Sequence, residues 1–206
     1  MKTRYRCPDD ALKAALAHAP LAGGASSLGA LHGDASPGDA LAPDEASAQA
    51  GFIRRRLEQL PPVQQALLVV TFAPRNLICG CHRPCCRGHY PNREWQRALE
   101  TVVAHTAPLL SGHRPHIRLR TAIVGNLLTR TAETQLDLAQ RCGVSRPTVA
   151  THTAILAAAL MGTRQKGGAF DHALARIDTL LREAGIVGDP VADAVTDAAV
   201  RETQAA

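Results

Sequence analysis

Six side chains able to bind a soft metal crowd into one short string, ICGCHRPCCRGHY (78–90). Cys79, Cys81, Cys85 and Cys86 fall within eight residues, with His82 and His89 in reserve. Four thiolates, or three and an imidazole, satisfy tetrahedral zinc, and a segment so poor in apolar residues has little else to form a core. Clustered cysteines in a reducing compartment suit metal ligation better than a disulfide framework, and Cys7 and Cys142 stand alone. The spacing is tighter than C-x₂-C, and two adjacent cysteines reach one metal only over a bent backbone. Ordinary thiols and redox chemistry therefore stay open beside structural zinc. A catalytic zinc needs an open position with a base beside it, and Glu94 is the one carboxylate within several residues of the cluster. Neither H-E-x-x-H nor a deaminase pair of H-x-E with P-C-x-x-C occurs, and there is no phosphate-cradling G-x-x-x-x-G-K-[ST] loop and no G-x-S-x-G elbow. The expectation is a structural zinc in a chain that is not an enzyme.

A second constellation lies at 135–154, QLDLAQRCGVSRPTVATHTA. It has the residue types of a helix-turn-helix, each with a steric reason. Ala139 is small where two helices cross, Gly143 suits a turn needing positive φ, and Val144 plugs the corner. Leu138 and Val149 supply the facing apolar surfaces. Ser145 is placed to cap the second helix by accepting from the Thr148 amide, and Pro147 is tolerated in the first turn. Arg146, Pro147, Ala150, Thr151 and Ala154 then lie on the outer side, the side such a helix offers to a major groove. Arg146 carries the planar fork that matches guanine, while Thr148 and Thr151 suit phosphate or a thymine methyl. No acidic residue falls between Gly143 and Lys166, whereas Arg146, Arg164 and Lys166 do. An αα-hairpin that is only core architecture would show much of the same pattern. His152 departs from it, standing where Val or Ile is usually buried, so either Thr153 and Leu156 pack instead or the helix rotates.

The elements that must position these residues are helical. Hydrophobic residues make up 46% of the chain and aromatics only 3%, so the apolar content is mostly small, helix-favouring side chains. Apolar periodicity, with proline and acidic residues at the starts, predicts helices over 8–19, 44–59, 62–72, 91–107, 115–129 and 170–188, the last closed by Gly185. Pro91 is read as the opening of its helix, and Arg118 and Arg120 as pointing away from the apolar stripe of theirs. Residues 20–43, rich in Gly, Ala, Ser and Pro, read as a flexible linker, and the acidic, alanine-rich stretch 188–206 as a tail. The domains expected are an N-terminal helix and linker (1–43), a helical DNA-binding domain (44–187) with a cysteine-rich insertion at 76–90 and the helix-turn-helix at 131–160, and the tail. No apolar run reaches the length of a membrane span and no signal-peptide core opens the chain, so a cytoplasmic protein is expected.

Charge is distributed in the same sense. The formal net charge is +5, yet residues 51–130 carry twelve basic and three acidic side chains, while the flanking segments are each acidic by two. A basic centre between acidic ends suits an anionic partner, although arginine-rich faces are often merely solvated. Double-stranded DNA is favoured over single-stranded RNA because aromatic stacking platforms are scarce.

Two separated pieces resemble one known arrangement. FIRRRLEQLPPVQQALLVVTFA (52–73) resembles the helix, Leu-Pro turn and helix that open the promoter-reading C-terminal domain of bacterial sigma factors, and 134–160 resembles the helix-turn-helix that closes it. Here the cysteine string and two helices intervene. That layout, with the cysteine string followed by PNREW, is similar to the sigma-like type of phage antitermination protein Q and to related prophage DNA-binding proteins, over about residues 45–187. Beside the composition and the cysteine string, it gives the fold expected here: all-α, a multi-helix sigma-like helix-turn-helix domain with a small cysteine-rich, zinc-bearing loop insertion. The resemblance itself implies DNA recognition near a late promoter, contact with RNA polymerase and passage through terminators. A repressor or activator without an antitermination role, and a zinc-dependent interaction or nucleic-acid-processing module, are the rival expectations.

Overall fold

The computed structural model of the chain describes residues 5–17, 43–81, 87–114, 116–131 and 133–188. The linker expected over 20–43 falls outside the described residues except for Pro43, and the tail expected from 188 except for Gly188. Among the described residues the fold is mostly helical: α1 (Pro8–Ala17), α2 (Pro43–Leu57), α3 (Pro62–Phe72), α4 (Arg93–His105), α5 (Ile117–Thr129), α6 (Gln135–Cys142), α7 (Arg146–Leu160) and α8 (Ala169–Glu183). A two-stranded antiparallel sheet, β1 (Asn76–Ile78) with β2 (His89–Pro91), is the one sheet among them.

The Leu60-Pro61-Pro62 turn sends the chain into α3, with proline in the first turn where its missing N–H costs nothing. Five consecutive residues of α3, Ala66 to Val70, are buried, so the helix is covered on every side, by α1, α4, α5 and α8. At its end Pro74 has no N–H to give the Val70 carbonyl, and the Trp95 indole supplies the bond instead, Nε1 to Val70 O at 3.0 Å. α4 lays Trp95, Ala98, Val102 and Val103 onto α3. α8 presents Phe170, Ala173, Ile177 and Leu181 at spacings of three and four, the Phe170 ring resting 6.2 Å from that of Phe72. Gly185, at φ +66°, ends it as expected, with its own amide bonded to Arg182 O and that of Ile186 to Leu181 O.

Three features differ from the sequence expectations. The short helix α1, grouped there with the linker, is part of the core: Ala11, Leu12, Ala15 and Leu16 are all buried against α2, α3 and α8. The Tyr5 strand segment bonds to the far end of the chain, Tyr5 N to Ile186 O at 3.3 Å and Gly188 N to Tyr5 O at 3.0 Å. Second, the flanks of the cysteine string are not loop but the β1–β2 ribbon, in register Asn76 with Pro91, Leu77 with Tyr90 and Ile78 with His89. Third, Pro91 ends β2 rather than opening α4. Asn92 does the opening: its Oδ1 accepts from the Glu94 and Trp95 amides while its Nδ2 donates to Pro74 O at 2.9 Å. One buried side chain thus starts α4 and ties down the base of the ribbon.

Candidate nucleic-acid interface

The α6–α7 corner is framed by caps. Thr134 and Asp137 form a reciprocal capping box at the start of α6, the Thr134 Oγ1 accepting from the Asp137 amide and Asp137 Oδ2 accepting from the Thr134 amide. The Thr134 hydroxyl, with the Thr134 amide, holds the Asp137 carboxyl below the usual carboxylate range. At the other end the chain turns through Gly143 at φ +66°, where the Gly143 amide bonds Gln140 O and the Val144 amide bonds Ala139 O at 3.0 Å. This pairing returns Val144 against the α6 surface. Ser145 then caps α7, accepting from the Thr148 amide at 3.4 Å. Leu138, Ala139 and Val149 are buried between the two helices.

With that frame in place, Ser145, Arg146, Pro147 and Thr151 are exposed, and Thr148 and Ala150 are half-buried. These six lie together on the first two turns of α7, at the positive end of its dipole. Arg164 and Lys166 are also exposed but lie beyond the opposite end, about 22 Å away along a fifteen-residue helix. They sit on a tight reversal, with Thr163 N bonding Lys166 O and Gly162 pairing with Gly167. A Cβ on Gly168 would lie 2.3 Å from Gly162 N, so that reversal tolerates only glycine there. Arg146 and the pair Arg164 and Lys166 are therefore separated by the length of α7.

Leu156 packs inward as expected and Thr153 is half-buried, but His152 is not displaced by them. Its own imidazole is buried, 3% exposed, beside Leu156 and with its ring edge toward His113 at 4.9 Å. Burial, then the nearby His113 and His116, push its pKa down.

Basic residues that the sequence reading passed over adjoin the corner. His116 caps α5, its Nδ1 accepting from the Leu119 amide, so its proton sits on Nε2 and is donated to Cys142 O at 3.1 Å. This bond pins the start of α5 beside the end of α6, and exposed Arg114, Ile117 and Arg118 come with it. A shallow cleft of about 450 Å³ lined by Arg75, Arg118, Asn126 and Arg141 runs from there toward α4. Arg75 is held over the Trp95 ring at 4.9 Å, and Arg141 is paired twice with Glu133 at 2.8 Å. Arg118 carried a signal in the sequence, the helical phase of 115–129; the tie between His116 and Cys142 carried none.

Of the candidate metal ligands, Cys79 is half-buried and Cys81 and His89 are exposed, whereas His82, Cys85 and Cys86 lie outside the described residues. Among the described residues no group of three or more His, Cys, Asp or Glu side chains is placed to hold a metal. The ribbon does bring the two arms of the string together: Cys79 N bonds Gly88 O at 2.8 Å, so Cys79 and His89 emerge at the same end of the stem. No described helix is long and apolar enough to cross a membrane. No protein-family model, curated protein or solved structure matches the chain.

Proposed function

We propose that this chain regulates transcription by binding duplex DNA through the first two turns of α7. One observation carries the reading: the outer face of α7 is exposed, free of acidic residues and headed by Arg146 next to a capped N-terminus, with the start of α5 and its exposed Arg118 held to the end of α6 by the His116–Cys142 bond. In this reading Arg146 reads a guanine, Pro147, Ala150 and Thr151 line the base edges, and Ser145 and Thr148 sit at the phosphate. Arg164 and Lys166, a helix length away, serve phosphates farther along the duplex.

Zinc belongs to the same proposal as a staple for the ribbon tip. Its ligands would be Cys79, Cys81, Cys85 and Cys86, with His82 and His89 as alternates. The support is the donor chemistry and a stem that delivers both arms to one end; bound there, zinc would supply rigidity in place of an apolar core. The resemblance of 45–187 to sigma-like antitermination proteins extends the proposal to action with RNA polymerase.

Selection of duplexes from a random pool tests the DNA reading: the wild type is expected to enrich one sequence, and Arg146→Ala to lose it. Equal binding to every duplex by the wild type would remove the basis for the reading. Passing polymerase over the selected DNA then separates an antiterminator, which co-elutes with it, from a repressor or activator, which does not.

A further inference from the structure

On the buried side of α7 a second cavity, of about 320 Å³, lies between the 107–116 segment, Arg120 of α5 and His152 of α7. Of its eight described lining residues five are basic (His113, Arg114, His116, Arg120 and His152) and none is acidic. Arg120 Nε and His152 Nδ1 are sealed from water with no hydrogen-bond partner among the described residues. Buried polar atoms are ordinarily satisfied, so two side chains with an orphaned nitrogen beside one cavity point to a ligand that draws them toward it. Both nitrogens of His116 are already committed, to the Leu119 amide and the Cys142 carbonyl, so it forms a wall rather than a ligand-binding group. A cation is disfavoured by Arg114 and Arg120 on the same walls. An anion is favoured by Arg114 and Arg120, and it would offset the cost of charging His152, which comes first from burial and then from the nearby histidines.

We propose that this cavity binds a small ligand bearing a tetrahedral oxyanion, free phosphate or a phosphate monoester, seated between Arg120 and His152 behind the DNA-facing helix. The volume falls at the small end of ligand pockets, which suits such a group with a short substituent. Arg120 donates through its guanidinium, and His152, protonated as the anion arrives, donates through its ring N–H. Because His152 follows Thr151 directly in α7, occupancy shifts the helix that carries the outer face. That second step rests on the DNA reading above, whereas the binding itself stands on the cavity alone. Linkage requires that anion and DNA change each other's affinity by the same factor.

The test is a titration of the full-length, isotope-labelled chain with inorganic phosphate, without DNA, following the histidine ring nitrogens by NMR. Saturable shifts of the His152 ring are expected with phosphate and not with chloride at equal ionic strength. Arg120→Gln should weaken phosphate roughly tenfold with its far-ultraviolet circular dichroism unchanged. If that variant does not fold, the wild-type shifts decide alone. Equal response to chloride, full phosphate affinity in a folded Arg120→Gln, or saturation by zinc in place of phosphate would each overturn the site. DNA affinity is then measured with and without phosphate at constant ionic strength. No change there removes the coupling but leaves the site. Loss of phosphate binding with DNA selection intact removes the site but leaves the DNA reading. Shifts of His152 produced by DNA itself would assign the cavity to the nucleic-acid backbone and overturn the free-ligand proposal.

Discussion

α3 and α7 are helices of similar length put to opposite uses. α3 buries Ala66 through Val70 without a break, and its last carbonyls are bonded from inside the protein. α7 buries only the stripe Val149, His152, Leu156 and Leu160, and leaves Arg146, Pro147 and Thr151 outside. The first holds the fold together; the second is held by the fold so that one face stays available. Stability and recognition are thereby assigned to different residues, and substitution can pull them apart.

The largest effect should come from α3. Leu67 is fully buried, so Leu67→Ala is expected to cost about 2–5 kcal/mol of unfolding free energy, measured by denaturant melts, while the fraction that remains folded binds DNA as the wild type does. Arg146→Ala should show the reverse, a loss of about 1–3 kcal/mol in specific DNA binding by fluorescence anisotropy with an unchanged melt. If Arg146→Ala lowers the melting point as much as Leu67→Ala does, the division between the two helices is wrong.

Substitutions at the corner should fall between these extremes and touch both properties. Gly143→Ala forces a side chain into the left-handed region at a cost of about 1–2 kcal/mol, and Ser145→Ala removes a cap worth about 1 kcal/mol. Calorimetry of the two variants beside their DNA affinities would show whether bending and binding are coupled. The smallest effect is with pH. His152 has its folded pKa lowered by burial, so in this range the unfolded chain takes up protons first. Stability should therefore hold above about pH 6.5 and decline as pH falls through the unfolded value toward the folded one. His152→Val should flatten that slope, and an unaltered slope in this variant would locate the titrating group elsewhere. Asp137 adds its own loss only in more acidic solution, as pH falls from the ordinary carboxylate range, about 4, toward its lowered folded value, because its partners favour the ionised form.

What could be read from the sequence divides along the same physical line. The spans of α3, α5, α7 and α8, the Gly143 turn, the Ser145 cap and the Gly185 stop were legible because each depends on neighbours a few residues away. The β1–β2 ribbon was not: strands of three residues carry no alternation to detect, and their pairing depends on a stem closed across the cysteine string. The cap that Asn92 places on α4 is local and was masked by Pro91 beside it, which also suits a helix start, whereas its tie to the Pro74 carbonyl eighteen positions back left no local signal. The inward turn of Arg120 and the burial of His152 depend on a cavity assembled from three stretches of chain. The alanine-rich helix α1 was expected as a helix but grouped with the linker, and its small side chains allow it to settle closely on α2 and α3. The chemistry of the cysteine string was legible as a donor set, whereas its arrangement depends on His82, Cys85 and Cys86, which are not among the described residues.

The bonds between Tyr5 and Ile186–Gly188 have a consequence for how the protein is made. A nascent chain emerging from the ribosome can form the α6–α7 corner locally, but the seat of α1 is incomplete until the end of α8 has been synthesised. Closing a loop of nearly the whole polypeptide is slow relative to forming the corner. Early in synthesis, Leu12 and Leu16 remain without part of their cover, a window in which a chaperone, or a neighbouring chain on the same message, meets them first.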